Sequence, residues 1–366
     1  PRPPARMIAC IPGECTGQTV RIAPPDMTSD KLRLALPSKG RMEDATLDFM
    51  RSSGVRVARP NPRQYTASIR AMPGAQVIFQ RSGDIYRQVN AGNVDAGITG
   101  LDDYFEQRQE GDSTVLILED LGYARCELVL AVPETWTHVN TFSDLGRLAT
   151  ERREQGRELR VATHYPNLVS GFFHGHGIKH FLLETQYEGT LEMAPNMGTA
   201  DLIADLSETG TTIKENHLKL VGGGTILKSQ ACFIGNRQTL VEGGKMDTIR
   251  RMLELMEASL RSEGFYYLIA NVAGSSEQSV AELIFQRPEL AGLTGPTISK
   301  VYPRSGKGNW YDVNIIVEHE ALNTAIDHLR AIGATGIAAI PTKYSFEDRC
   351  RAYARLAEAC QPAVKS

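Results

Sequence analysis

Short apolar runs recur along the chain, each followed by a loop rich in glycine or serine and then by a stretch of helical period. Residues 32–36 form one such run and predict a buried strand. Residues 37–41 read as a loop, and Glu43 to Ser52 as an amphipathic helix. The same succession of strand end, loop and helix start returns at residues 81–85 and 98–102. This alternation predicts an α/β open sheet in which the carboxyl ends of the strands line a ligand crevice. A looser echo joins two segments. Gly92 stands three residues before Asp95, and Gly198 three residues before Asp201; each pair runs into an apolar strand and a loop that starts a helix. One such unit in each half predicts two similar lobes facing a shared cleft.

Further along, residues 127–133 read as an apolar strand crossing between the lobes. Residues 143–158 read as a charged surface helix without an apolar face, and 160–163 as the opening strand of the second lobe. Residues 218–221, a tight turn at the triple glycine 222–224, and residues 225–234 read as strands returning to the first lobe. Helical spacing over 246–262 predicts a connecting helix. From residue 265 onward the order strand, helix, strand, strand, helix, strand ends near Pro341, which is a βαββαβ ferredoxin-like unit. With no catalytic cluster in it, this unit reads as a ligand sensor or an assembly surface. The predicted organisation is a segment 1–30, lobe I over 31–128 and 213–245, lobe II over 129–212, a connecting helix over 246–262, a regulatory domain over 263–344 and a tail over 345–366.

The most informative stretch is residues 192–213. It carries Glu192, Asp201 and Asp205 and ends in Thr209-Gly210-Thr211-Thr212 before a helix start. Glycine between hydroxyl residues lets backbone N–H groups approach an anion, and the helix start adds partial positive charge. The carboxylates upstream prefer a metal or ribose hydroxyls. Together they predict a site for a phosphorylated sugar with Mg²⁺, against the plainer reading of a helix cap.

Composition narrows the alternatives. The 366 residues are 42% hydrophobic, with 40 basic and 43 acidic side chains and a net charge of −3. No run reaches the roughly 18 apolar residues of a membrane span, and no charge block calls for a nucleic acid or membrane partner. The six cysteines form no C-x-x-C pair, which predicts a reducing compartment. The Pro- and Arg-rich start, with no apolar core, reads either as a remnant of an organelle transit segment or as an ordinary flexible terminus. His174, His176 and His180 lie close in sequence, but His174 and His176 sit beside glycines without a Cys or acidic partner and read as a solvated turn, not a metal site.

The motifs at residues 36–41, 95–100, 159–163, 192–213, 295–297 and 333–337 resemble the ATP phosphoribosyltransferase family in its long form with a C-terminal regulatory domain. Residues 61–65, 77–81 and 295–299 look like the plant branch, whose members work in plastids; otherwise the chain would be cytoplasmic. The resemblance implies a two-lobed, periplasmic-binding-protein-like catalytic part. In the implied reaction, the first step of histidine biosynthesis, adenine N1 of ATP attacks C1′ of phosphoribosyl pyrophosphate and pyrophosphate leaves, with Mg²⁺ required. The nucleophile already carries a free lone pair, which fits a sequence offering no Ser, Cys or His triad.

Carried over residue by residue, the resemblance places the sugar 5-phosphate at Thr209, Gly210, Thr211 and Thr212, with Leu206 beside it. Asp205, Asp201 and Glu192 fall near the ribose hydroxyls or Mg²⁺, whose ligands stay open. Lys39 and Arg41 match basic positions at the nucleotide and pyrophosphate and count, with Asp205 and Glu192, as catalytic. Asp84, Asp95, Thr99, Gly100 and Asp102, with Arg41, fall on the ATP side. Asn271, Thr297 and Ala334 match positions that bind histidine, the feedback inhibitor, between subunits of a homo-oligomer built from dimers to hexamers. Glu208 departs from the serine common among relatives and sets an anion beside the expected phosphate. The competing reading is a two-lobed binding protein that closes on an anionic solute without chemistry.

Overall fold

The computed structural model describes residues 30–61, 63–186, 190–290, 292, 295–303 and 306–361. Apart from Asp30, the predicted segment 1–30 lies outside the described residues. The chain begins with β1 (Leu32–Pro37), α1 (Gly40–Ser52), β2 (Val57–Ala58), β3 (Thr66–Ile69) and β4 (Ala75–Gln80). It continues with α2 (Ser82–Asn90), β5 (Ala96–Gly100), α3 (Leu101–Gln107) and β6 (Thr114–Leu118). These strands, joined by β12 (Ala231–Asn236), form a sheet of order β2-β3-β4-β1-β5-β12-β6. The central strands β4, β1 and β5 are parallel and nearly all apolar, as a sheet covered on both faces requires. This is lobe I.

Lobe II contains β7 (Cys126–Pro133), α4 (Phe142–Glu154), β8 (Leu159–Thr163), α5 (Pro166–Gly175), β9 (Phe181–Glu184), β10 (Leu202–Ser207), α6 (Thr211–Glu215) and β11 (Leu218–Ser229). Its sheet order is β11-β7-β10-β8-β9. Here the structure departs from three sequence expectations. β11 belongs to lobe II: Leu218 and Val221 are buried in that lobe's apolar clusters, and it is β12 that joins the lobe I sheet. The triple glycine is a bulge inside β11, with the register against β7 shifting between Leu220 and Thr225, and not a turn between two strands. α4 does have an apolar face, since Leu145 and Ala149 are buried with Phe142 and Leu148 against the lobe II core. The charged run at its C-terminal end concealed that stripe.

The 18-residue α7 (Lys245–Ser262) leaves lobe I, burying Ile249, Met252, Leu253 and Met256 at helical spacing in the lobe I core. It leads to β13 (Phe265–Ala273), α8 (Glu277–Ile284), β14 (Thr297–Val301), β15 (Trp310–Glu318), α9 (Leu322–Ala331) and β16 (Thr335–Pro341). This βαββαβ unit forms an antiparallel sheet of order β14-β15-β13-β16 with α8 and α9 over one face.

The predicted tail is a packed element. α10 (Arg351–Ala359) returns to lobe I and buries Ala352 and Leu356 in its core. Glu257 of α7 caps it, accepting from the backbone N–H groups of Arg351 at 3.1 Å and Ala352 at 2.8 Å. The βαββαβ domain is therefore fastened to lobe I at both ends.

Candidate functional site

The Gly-x-x-Asp echo is a repeated brace. In lobe I the Asp95 carboxylate accepts from the Arg33 backbone N–H at 2.8 Å and from its guanidinium at 2.8 and 3.1 Å, while that guanidinium also donates to the Gly92 carbonyl at 3.0 Å. In lobe II Asp201 accepts from the Arg160 backbone N–H at 2.9 Å and its guanidinium at 3.2 Å, and Arg160 also donates to the Gly198 carbonyl at 2.9 Å. Each aspartate stands just before its strand, at the edge opposite the strand's carboxyl end. The structure therefore removes Asp95 from the ATP side and Asp201 from the sugar side; both serve as structural ties. Burial would raise each carboxyl's pKa, but the hydrogen bonds from arginine, joined by Lys245 on Asp95 and Arg152 on Asp201, outweigh it and hold both low.

At the carboxyl ends of the strands the two lobes face a cleft of about 630 Å³. From lobe II, the end of β10 and the residue after it bring Leu206 and Glu208 to the cleft; Asp205 precedes them and the turn at Gly210 and α6 follow. Gly210 takes φ +75°, which a side chain rarely tolerates, and its N–H donates to Ser207 Oγ at 2.9 Å. The turn presents the hydroxyls of Thr209 and Thr211 2.8 Å apart, with Thr209, Thr211 and Thr212 all exposed. Burial pushes the Asp205 carboxyl up, as does the charge of Glu192, which a 3₁₀ turn at Leu191–Met193 brings near it; the Leu206 N–H and His164 act in the opposite direction.

From lobe I, the loop at Lys39 and the start of α1 bring Arg41, Met42 and Ala45 to the cleft. The end of β5 and the first turn of α3 bring Gly100, Asp102 and Asp103. Thr99 is buried beneath them and donates to the Ser82 carbonyl at 3.1 Å. Asp102 accepts from Ser229 Oγ at 2.6 Å and, across the lobes, from Tyr165 Oη at 3.0 Å. Asp84 stays on the surface of α2, paired with Arg87 one turn on. A second cross-lobe tie lies nearby: Glu106 caps α5, accepting from the N–H groups of Asn167 and Leu168, each at 2.9 Å.

A cleft that ends on Glu208, at the start of a hydroxyl-rich turn, on one lobe and carries basic and acidic side chains on the other suits a phosphorylated sugar meeting a nucleotide. The family model described as ATP phosphoribosyltransferase matches residues 81–258, and the one described as HisG, C-terminal domain, matches residues 263–344. ATP phosphoribosyltransferase 1, chloroplastic, of Arabidopsis thaliana is 39% identical over 325 residues, 87% of this chain and 78% of that protein. The chain belongs to the ATP phosphoribosyltransferase family. ATP phosphoribosyltransferase 2, chloroplastic, of the same plant is 39% identical over 333 residues, 89% of this chain and 80% of that protein. The ATP phosphoribosyltransferase of Chelativorans sp. (strain BNC1) is 41% identical over 204 residues, 55% of this chain and 88% of that protein.

For a member of this family the unexpected contact is Glu208. Its half-exposed side chain reaches across the cleft to Arg41 at 2.7 Å. The sequence reading missed Asp103 and Tyr165, which line the cleft, and Ser229, which is buried against Asp102. The adjacent carboxylates Asp102 and Asp103 in the first turn of α3 were a visible signal for the first; the other two come from 60 and more residues away and gave none.

In the ferredoxin-like domain Asn271 pairs with Asp312 and Thr297 with Asn314, so strand alternation puts both on the face not covered by helices. Ala334, in contrast, packs with the apolar cluster on the helix side. His174 lies in the last turn of α5 and not in a loop; the His176 ring packs tilted against Phe172. Among the described residues no three His, Cys, Asp or Glu side chains form a metal-binding group.

Proposed function

We propose that this chain joins ATP to phosphoribosyl pyrophosphate, forming phosphoribosyl-ATP and pyrophosphate at the cleft between lobes I and II. The observation that supports the residue-level reading is the meeting, in one cleft, of Leu206 and Glu208 from lobe II, which lie between Asp205 and the Thr209–Thr212 turn, with Arg41 and the first turn of α3 from lobe I. Thr209, Gly210, Thr211 and Thr212 hold the sugar 5-phosphate, and Asp205 accepts from ribose hydroxyls. Lys39 and Arg41, exposed cations beside the start of α1, meet the leaving pyrophosphate. The chemistry then depends on aligning two anionic substrates and balancing charge at the leaving group.

The carboxylates Glu192 and Asp205 are neighbours, and burial first and then the Glu192 charge raise the proton affinity of Asp205. That pair suits Mg²⁺, which takes one or two protein carboxylates and completes its shell with substrate phosphates and water. When bound, the ion neutralises charge on the pyrophosphate.

Histidine fits the open face of the ferredoxin-like sheet at Asn271 and Thr297 as feedback inhibitor. An oligomer is supported by the exposed edge strand β16, where Ile340 is 48% exposed, because uncovered edges seek partners. The chloroplastic relatives support a plastid location.

The test is direct. With ATP, phosphoribosyl pyrophosphate and Mg²⁺ the full chain should form N1-phosphoribosyl-ATP, and added histidine should slow it. Asp205→Asn should lower turnover about 10- to 100-fold, the worth of one hydrogen bond to a charged group. Binding of both substrates without product would instead favour a two-lobed binding protein.

A further inference from the structure

We propose that Asp103 is a specificity-determining residue that accepts a hydrogen bond from the 6-amino group of the adenine and balances the charge this ring gains in the reaction. The inference rests on the reading of the cleft as the ATP site. Three observations carry it. Asp103 and Asp102 are consecutive in the first turn of α3 and both line the cleft, yet their oxygens are used differently. Asp102 spends Oδ1 on Ser229 and Oδ2 on Tyr165. Asp103 spends only Oδ2, which accepts from Ser82 Oγ at 3.1 Å and Thr99 Oγ1 at 3.3 Å. Among the described residues no hydrogen bond reaches Asp103 Oδ1.

Second, that oxygen faces Gly83, another residue of the cleft wall: a Cβ built on Gly83 would stand 3.5 Å from it. The missing side chain leaves Oδ1 open to a ligand, while Ser82 and Thr99 fix the carboxyl's plane. Third, the surrounding wall is apolar at Met42, Ala45 and Leu206, with the ring of Tyr165 beside them. That is a lining for a flat base with one acceptor at its edge. Adenine presents an amino donor at position 6 where guanine presents a carbonyl acceptor, so a lone carboxylate oxygen selects adenine.

The same contact serves the chemistry. As the N1–C1′ bond forms and the C1′–O bond breaks, pyrophosphate leaves with the bonding pair and the purine gains one positive charge, shared over N1, C6 and the amino nitrogen. A carboxylate at the amino group meets that charge where it develops. Burial first, and the neighbouring Asp102 charge next, push the Asp103 carboxyl up to about 6 against the hydrogen bonds from Ser82 and Thr99, so near neutral pH it is ionised.

The experiment compares kcat/KM for ATP with that for purine ribonucleoside triphosphate, which lacks the amino group, on the full chain. The wild-type chain should prefer ATP about 10- to 100-fold, the range of one charge-assisted hydrogen bond. Asp103→Ala should bring the two substrates within about threefold of each other. Asp103→Asn should keep an acceptor, and so part of the preference, but lose turnover with ATP. Gly83→Ala, which sets a methyl group against Oδ1 and leaves the carboxyl itself unchanged, should narrow the ratio in the same direction and covers the case of an Asp103 variant that fails to fold. A wild-type ratio retained in Asp103→Ala, or in Gly83→Ala if the former does not fold, overturns the inference while leaving the function standing. No product from ATP with the wild-type chain overturns the function itself, and this inference with it.

Discussion

Lobe I and lobe II solve one problem, tying a strand's start to its neighbour, with one device set in different surroundings. In each, an aspartate three residues after a left-handed glycine grips the backbone and guanidinium of an arginine on the adjoining strand. In lobe I the aspartate is fully buried and its further cation is Lys245, the first residue of α7, the helix leading to the ferredoxin-like domain. In lobe II the Asp201 side chain is 11% exposed and its further cation, Arg152, comes from α4 of the same lobe. The lobe I brace is thus part of the attachment of a second domain, whereas the lobe II brace is local. A buried charge that loses its partner costs far more than one near water, so the two should differ strongly in energy.

The widest gap between the lobes should follow from removing residues 345–366. This strips α10 from lobe I and takes Leu356, Ala352 and the half-buried Tyr353 out of its core; two large side chains at about 1.5–3 kcal/mol each imply a loss of roughly 3–6 kcal/mol, read by chemical denaturation. Lobe II should keep its protection from hydrogen exchange, and equal loss of protection in both lobes would break the comparison.

Next come the braces themselves. Asp95→Asn should destabilise by about 3–5 kcal/mol, since it leaves Arg33 and Lys245 facing a neutral group, and Asp201→Asn by about 1–2 kcal/mol. Both carboxyls are held low, so their stabilisation is complete above the ordinary Asp value of about 3.9 and is lost as pH falls through the depressed folded value. Denaturation between neutral and acid pH should therefore show a shallower acid decline in Asp95→Asn than in the wild-type chain.

On the opposite edge of lobe II, Thr211→Val removes one hydroxyl from the turn. The KM for phosphoribosyl pyrophosphate should rise about fivefold, the worth of a typical hydrogen bond, with that for ATP little changed. Equal effects on both substrates would mean that the turn serves both.

Smallest is the cross-lobe pair. Arg41 and Glu208 are 88% and 54% exposed, so their attraction is screened. Glu208→Gln should tighten phosphoribosyl pyrophosphate by about two- to threefold, as Arg41 no longer has to leave a carboxylate to meet pyrophosphate. Weaker binding in a titration would show that Glu208 positions Arg41 and does not compete for it.

Much of the architecture was legible from local pattern. The strand, loop and helix succession of lobe I, the turn at Gly210 and the βαββαβ order all came from periodicity and from residues whose backbone preferences act over a few positions. The site was legible only in part. Arg41, Gly100, Asp102 and Leu206 do line the cleft, with Asp205 and Thr209 flanking the lining residues Leu206 and Glu208 in sequence, but Asp95 and Asp201 shared their composition and sat at the wrong strand ends. One residue before a strand is the edge away from the crevice, a reading the sequence allowed; the arginine partners, 62 and 41 residues distant, it did not disclose.

By itself the sequence determined which segments become strands and helices, and that a hydroxyl-rich turn follows β10, because propensity, periodicity and glycine's freedom at positive φ are properties of neighbours along the chain. Tertiary structure alone decided that β11 completes lobe II, that α10 closes the core of lobe I, that Glu208 finds Arg41 and that one oxygen of Asp103 is left for a ligand. Those outcomes depend on burial and pairing between groups far apart in sequence, and such groups meet only when the sheets are assembled.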